Sequence, residues 1–225
     1  MLVGAGGTGK FSRWHLKAPA PLATSLMKTT SKSSVAGFSL MELLLVLAVT
    51  GIVSAMALPM MSKTASNFRL SGAAHGLSSA VSVAKLRAAS AFTRARVYVD
   101  LSVNRFHVET WQKTGAAWVT EGGTTTLPSL NTFSFGVVSS APPNSQAVIA
   151  QAPACLDNAG APIGSSACVL FNSRGIPVDS TGAPTAVDAL YVTDGTAVYA
   201  VTLSATGLIQ VWRTNPTSTP NWVQQ

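Results

Sequence analysis

One stretch limits what this chain can become. From Phe38 to Met61 it runs 24 residues with a single formal charge, Glu42, near the start. Wound as a helix at about 1.5 Å per residue, such a run is long enough to cross a hydrocarbon layer of roughly 30 Å. It exceeds the apolar core of an ordinary secretory signal, and no A-x-A-like site follows it, so cleavage behind the run is not expected. Lys28 and Lys32 precede it, which predicts a cytoplasmic N-terminal side and an exported remainder. Glu42 is costly at this depth, about 2.5 to 3.5 kcal/mol for an ionised carboxylate at a helix centre. Either it lies at headgroup level in contact with water, or it has a partner.

The residues around it carry a resemblance. Gly37-Phe38-Ser39-Leu40-Met41-Glu42, followed by an apolar helix, resembles the leader junction of type IV pilins and type II secretion pseudopilins. The resemblance implies that a prepilin peptidase cuts after Gly37 and methylates the new N-terminus at Phe38. It implies that Glu42 directs assembly by pairing with the N-terminal ammonium of a neighbouring subunit. Opposite charges attract strongly in a low-dielectric bundle, and either one left alone is penalised. It also implies extensibility, or a helix kink, between Gly51 and Pro59, because a proline inside a helix removes a hydrogen bond.

Charge divides the chain in the same way. The formal net charge is +7, yet five basic residues and no acidic one precede Gly37, which leaves ten basic against eight acidic afterwards. The basic balance is therefore largely that of a leader, residues 1–37, which starts at Met1 or at Met27. In that leader Gly4, Gly6 and Gly9 fit a dinucleotide fingerprint, and with Lys10 they nearly fit a phosphate loop. No strand precedes them and Phe11 stands where Ser or Thr is needed, so no nucleotide site is expected.

Behind the apolar run, Leu77, Val81, Ala84, Ala88 and Phe92 form one stripe of a helix that continues to about Phe92, giving an amphipathic stalk over 62–95. A β-rich head over 96–225 follows. Arg96 to Leu101 and Arg105 to Trp111 read as a hairpin about Asn104, and Thr132 to Val138 as a further strand. "ALYVT" and "TAVYAVTL" flank Asp194-Gly195, a strong hairpin signal, and "LIQVWR" follows Thr206-Gly207. Prolines among Gly, Ser and Ala predict a loop-rich insertion around 139–188. Cys155 and Cys168 are the only cysteines, lie on the exported side, and are expected to form a disulfide.

The fold class is thus α+β: a long N-terminal hydrophobic helix packed on a small, mostly antiparallel sheet. Phe171, Gly175, Gly195 and Gly207 add a looser resemblance to the FimT/GspH group of minor pilins and pseudopilins, over residues 64–213. Its implied partners are other pilins, the prepilin peptidase and an inner-membrane assembly platform. The implied location is a single-pass inner-membrane protein with a periplasmic head, later part of a filament.

Catalytic patterns are missing. No G-x-S-x-G, H-E-x-x-H or paired-carboxylate motif occurs, so neither enzyme, cofactor nor metal is expected. His15 lies in the leader, His75 on the stalk helix, and His107 alternates with Phe106 and Val108 as a solvated surface residue. DNA is the alternative partner. Lys85, Arg87, Arg94, Arg96, Arg105 and Lys113 offer phosphate contacts, and Trp111 and Trp118 offer stacking surfaces. Some FimT-type pilins bind DNA for natural transformation through G-R-x-R. Here that stretch reads Gly207-Leu208-Ile209-Gln210, which leaves Arg213, with Arg94 and Arg96, as the candidates.

Overall fold

The computed structural model describes residues 37–186 and 188–225, apart from the side chains of 57–60 and 62. The expected leader, with its two start sites, its glycines and His15, lies outside the described residues. α1 is a single helix, Leu40–Ser90, whose assignment is unbroken through Gly51 and Pro59. Among the described residues no helix is long and apolar enough to cross a membrane. The side chains of 57–60, inside the apolar run, are not among those described, so the crossing expected of 38–61 is carried by the sequence pattern alone.

Both ends of α1 have identifiable causes. At the start, the backbone N–H of Glu42 donates to Ser39 Oγ at 3.2 Å. Ser39 is therefore the N-cap, with a glutamate three residues on, as in a capping box. At the far end, Thr93 N donates to Ala88 O at 3.2 Å and Phe92 N to Ala89 O at 3.4 Å. Phe92 between them has φ +48°. This is the Schellman pattern, with phenylalanine where glycine is usual. The expected stripe accordingly stops short: Phe92 is 75% exposed and belongs to the cap, not to the packed face.

The buried face of α1 is Leu70, Ala74, Leu77, Val81, Ala84 and Ala88, recurring every three or four residues as one side of a helix requires. It packs on two antiparallel sheets that share its core. The first comprises β1 (Ala95–Asp100), β2 (Arg105–Gln112), β3 (Ala117–Thr126), β4 (Ser166–Phe171) and β5 (Pro177–Val178), in the order β3-β2-β1-β4-β5. The second comprises β6 (Ala189–Thr193), β7 (Val198–Leu203), β8 (Ile209–Thr214) and β9 (Val223–Gln224), in that order. Val97, Val99, Phe106, Val169 and Phe171 from the first sheet meet Leu190, Val192, Val201 and Leu203 from the second in one apolar cluster with α1. The expectation of a helix packed on antiparallel strands is met, with two sheets in place of one.

Several expectations need correction. Thr132 to Val138 is not a strand: Thr132 makes one bridge to Thr193, and the chain then turns, with Gly136 N donating to Ser134 Oγ. Phe135 and Val138 instead cover the outer face of the second sheet, in a smaller cluster around Tyr191. The region 139–188 is not wholly loop. It supplies β4, which pairs with β1 throughout, Tyr98 facing Cys168. Elsewhere in it, Gln151 substitutes for a strand neighbour: its amide donates to Tyr191 O and accepts from Tyr191 N, both at 3.0 Å. These bonds cover part of the free edge of β6, which would otherwise offer unpaired backbone groups.

Candidate functional site

The N-terminal junction is built by the cap. Gly37, Phe38 and Ser39 are non-helical, and the helix begins at Leu40. Phe38 is 82% exposed, and Glu42 is exposed in the first turn. Its carboxylate stands at the helix end where the macrodipole favours negative charge. A local role for Glu42 is therefore present whether or not a neighbour pairs with it. The signal for that role, serine three residues before glutamate, is in the sequence.

Arg96, Arg105, Trp111 and Trp118 lie on the first sheet with Arg94 and Lys113 just beyond its strand ends, whereas Lys85 and Arg87 are on α1. Arg96 on β1 is buried, its Nε 2.6 Å from Glu109 Oε2 on the neighbouring strand and its Nη1 donating to Leu156 O at 2.5 Å. Its guanidinium lies 4.1 Å from the ring centre of Trp118. Arg94, one pleat earlier, sits over Trp111 at 4.8 Å and Trp118 at 5.7 Å. The two indoles meet edge to face at 5.2 Å, a favoured geometry for aromatic pairs. Burial raises the Glu109 pKa, but hydrogen bonds from His107 and Arg96 outweigh it and hold the carboxyl below its usual value.

His107 is not the solvated residue expected from alternation. Its Nε2 lies 3.0 Å from Glu109 Oε1 and its ring stacks on Tyr98 at 5.0 Å. Arg213 is on β8 of the second sheet, paired with Tyr199 and Val223. Arg94, just ahead of β1, and Arg96 on it thus meet over Trp118, and Arg213 is on another element.

Cys155 and Cys168 form the expected disulfide, with Cα atoms 4.9 Å apart. The glycines of the looser pattern also have a physical reason. Gly175 and Gly207 have φ +71° and +75°, and a Cβ at either would stand within 3.2 Å of the Lys85 side chain. Lys85 Nζ donates to Gly207 O at 2.8 Å. This junction of α1 with two turns was missed in the sequence, although its glycines were singled out.

Residues 32–58 match the family model described as "Prokaryotic N-terminal methylation motif". Over these residues the chain therefore carries a prokaryotic N-terminal methylation motif. Among solved structures, one similar to it is "Structure of the minor pseudopilin EpsH from the Type 2 Secretion System of Vibrio cholerae", at 10% identity and a TM-score of 0.33, covering 70% of this chain and 96% of that one. A search of curated proteins finds no match.

Proposed function

We propose that this protein is a minor pilin or pseudopilin, a structural subunit that does no catalysis itself. The leader is removed after Gly37 by the prepilin peptidase, Phe38 becomes the methylated N-terminus, and the apolar part of α1 anchors the subunit in the inner membrane. The periplasmic head then enters a type IV pilus or a type II secretion pseudopilus beside other pilins, on the inner-membrane assembly platform. The observation that carries the reading is the methylation motif at 32–58, whose glycine, aromatic residue and glutamate immediately precede or open α1. Glu42 directs assembly, and Gly51 and Pro59 are where the helix yields in the filament.

Two substitutions test it. Gly37→Ala leaves a full-length protein by mass spectrometry. Glu42→Ala is cut normally yet does not appear in sheared filaments. Normal processing of the Gly37 variant, or normal filament incorporation of the Glu42 variant, defeats the proposal.

A second reading, a DNA-binding minor pilin acting in natural transformation, draws support from Arg94 lying over Trp111 and Trp118. Against it, Arg96 is already paired with Glu109, and a phosphate would have to compete for it. Gel shift of residues 62–225 at low salt decides. Binding lost on charge reversal of Arg94 supports DNA capture, and no binding at all removes it.

A further inference from the structure

Beside the arginine–tryptophan cluster the head has a cleft of about 360 Å³, within the size range of small-ligand sites. Its walls are mostly apolar, with Trp118, Leu156, Leu170 and Val178 among them. Its charges do not balance. Asp157, Asp179 and Asp188 line it together with Arg94 and Arg96. Arg96 is matched by Glu109 at 2.6 Å, so three carboxylates face one remaining guanidinium.

The three acids differ. Asp157 Oδ1 accepts from Ala159 and Ala161, and Asp179 Oδ1 from Thr181 and Ala183, so each holds its own turn. Asp188 holds none. Its residue is 4% exposed, it lines the cleft, and among the described residues burial and the nearby Asp179 are what act on its carboxyl. Burial, with a smaller effect from Asp179, raises its pKa to about 6. A buried carboxylate is costly unless it is paired, and a hydrogen-bonded cation removes that cost. The indole and aliphatic walls suit a hydrocarbon stem behind such a cation.

We propose that this cleft binds an alkylammonium group, its charge on Asp188 and its stem against Trp118 and Leu170. The group is carried either by a lysine side chain of a partner polypeptide or by a free primary amine. Binding requires no bond to form or break.

Calorimetry on the full-length protein in non-ionic detergent at pH 7.5 tests this. Butylamine, butanol and butyrate share a stem and differ in head group, so comparing them needs no variant. Butylamine is expected to bind at least tenfold more tightly than the other two. Asp188→Asn, close to isosteric, is expected to lose at least tenfold for butylamine while melting no lower than the parent. Equal binding of the three probes, no binding of any, or unchanged butylamine affinity in D188N overturns the proposal. Acetyl-Ala-Lys-Ala-amide identifies the source. Tighter binding of the peptide than of butylamine supports a polypeptide lysine, and the reverse supports a free amine.

Discussion

The ammonium of Lys85 donates to the carbonyl oxygen of Gly207 across 2.8 Å, tying α1 to the β7–β8 turn 122 residues further along the chain. A Cβ at Gly207 would meet Lys85 Nζ at 3.0 Å and Gly175 O at 3.2 Å. Gly207→Ala therefore pushes a left-handed residue into a filled space. The expected cost is about 2 kcal/mol, from αL strain and displacement of Lys85. Urea unfolding of the head measures it, and a loss under about 0.5 kcal/mol, the range of an ordinary surface substitution, would show that the turn relaxes freely.

Arg96 and Glu109 are buried together, so removing one leaves the other's charge unmatched. Glu109→Gln is expected to destabilise by about 3 kcal/mol. The folded carboxyl lies below its usual value, so it contributes stability that is present above the unfolded glutamate pKa of about 4.3 and lost as pH falls through the folded value. The difference between parent and variant should therefore shrink in acid, which urea midpoints from pH 5 down to pH 3 will read.

Asp188 acts in the opposite sense. Its folded pKa is raised to about 6, so the folded state holds this proton when the unfolded state has released it. Stability falls as pH rises from about 4 to 6, by roughly 3 kcal/mol from this group in the absence of a bound cation. Asp188→Asn removes that slope. A variant whose stability still declines through this window as steeply as the parent's would contradict the assignment.

The disulfide closes a loop of sequence separation 13 and ties the segment before β4 to β4 itself. Reduction, or the double change Cys155→Ser and Cys168→Ser, is expected to cost about 3 kcal/mol in the chain-entropy model. Thermal melts with and without reductant give the answer, provided the parent and the double variant coincide once both are reduced.

Phe92 spends its φ of +48° in a position that glycine fills without strain. Its side chain is exposed, so Phe92→Gly forfeits little packing. A gain of about 0.5 to 1 kcal/mol in head stability is expected, after the greater freedom of glycine in the unfolded chain. A loss would mean that the exposed ring contributes through contacts outside this chain.

How far the sequence could be read depends on the range of each signal. The buried stripe of α1, the hairpin about Asn104 and the Asp194-Gly195 turn are written within a few residues, and each forms where its pattern lies. β4 was hidden because its neighbour, β1, is some seventy residues earlier, and prolines on either side of it read as loop. β3 was hidden because its burial pattern is mostly exposed, leaving little alternation to detect. The methylation motif at 32–58 is local and chemical, so it was legible. The cleft draws its lining from Arg94 to Asp188, and no spacing rule connects residues that only the sheets bring together. Burial of Arg96 was equally invisible, because charge alone says nothing about which cation the fold encloses.

The serine cap at the start of α1 bears on the chemistry of methylation. Under the proposed cleavage after Gly37, only Phe38 would stand ahead of the capping residue. The amine so freed would stand at the positive pole of the helix. An amine accepts a methyl group through its lone pair, so a helix capped one residue behind that amine holds it at a fixed place for the transfer.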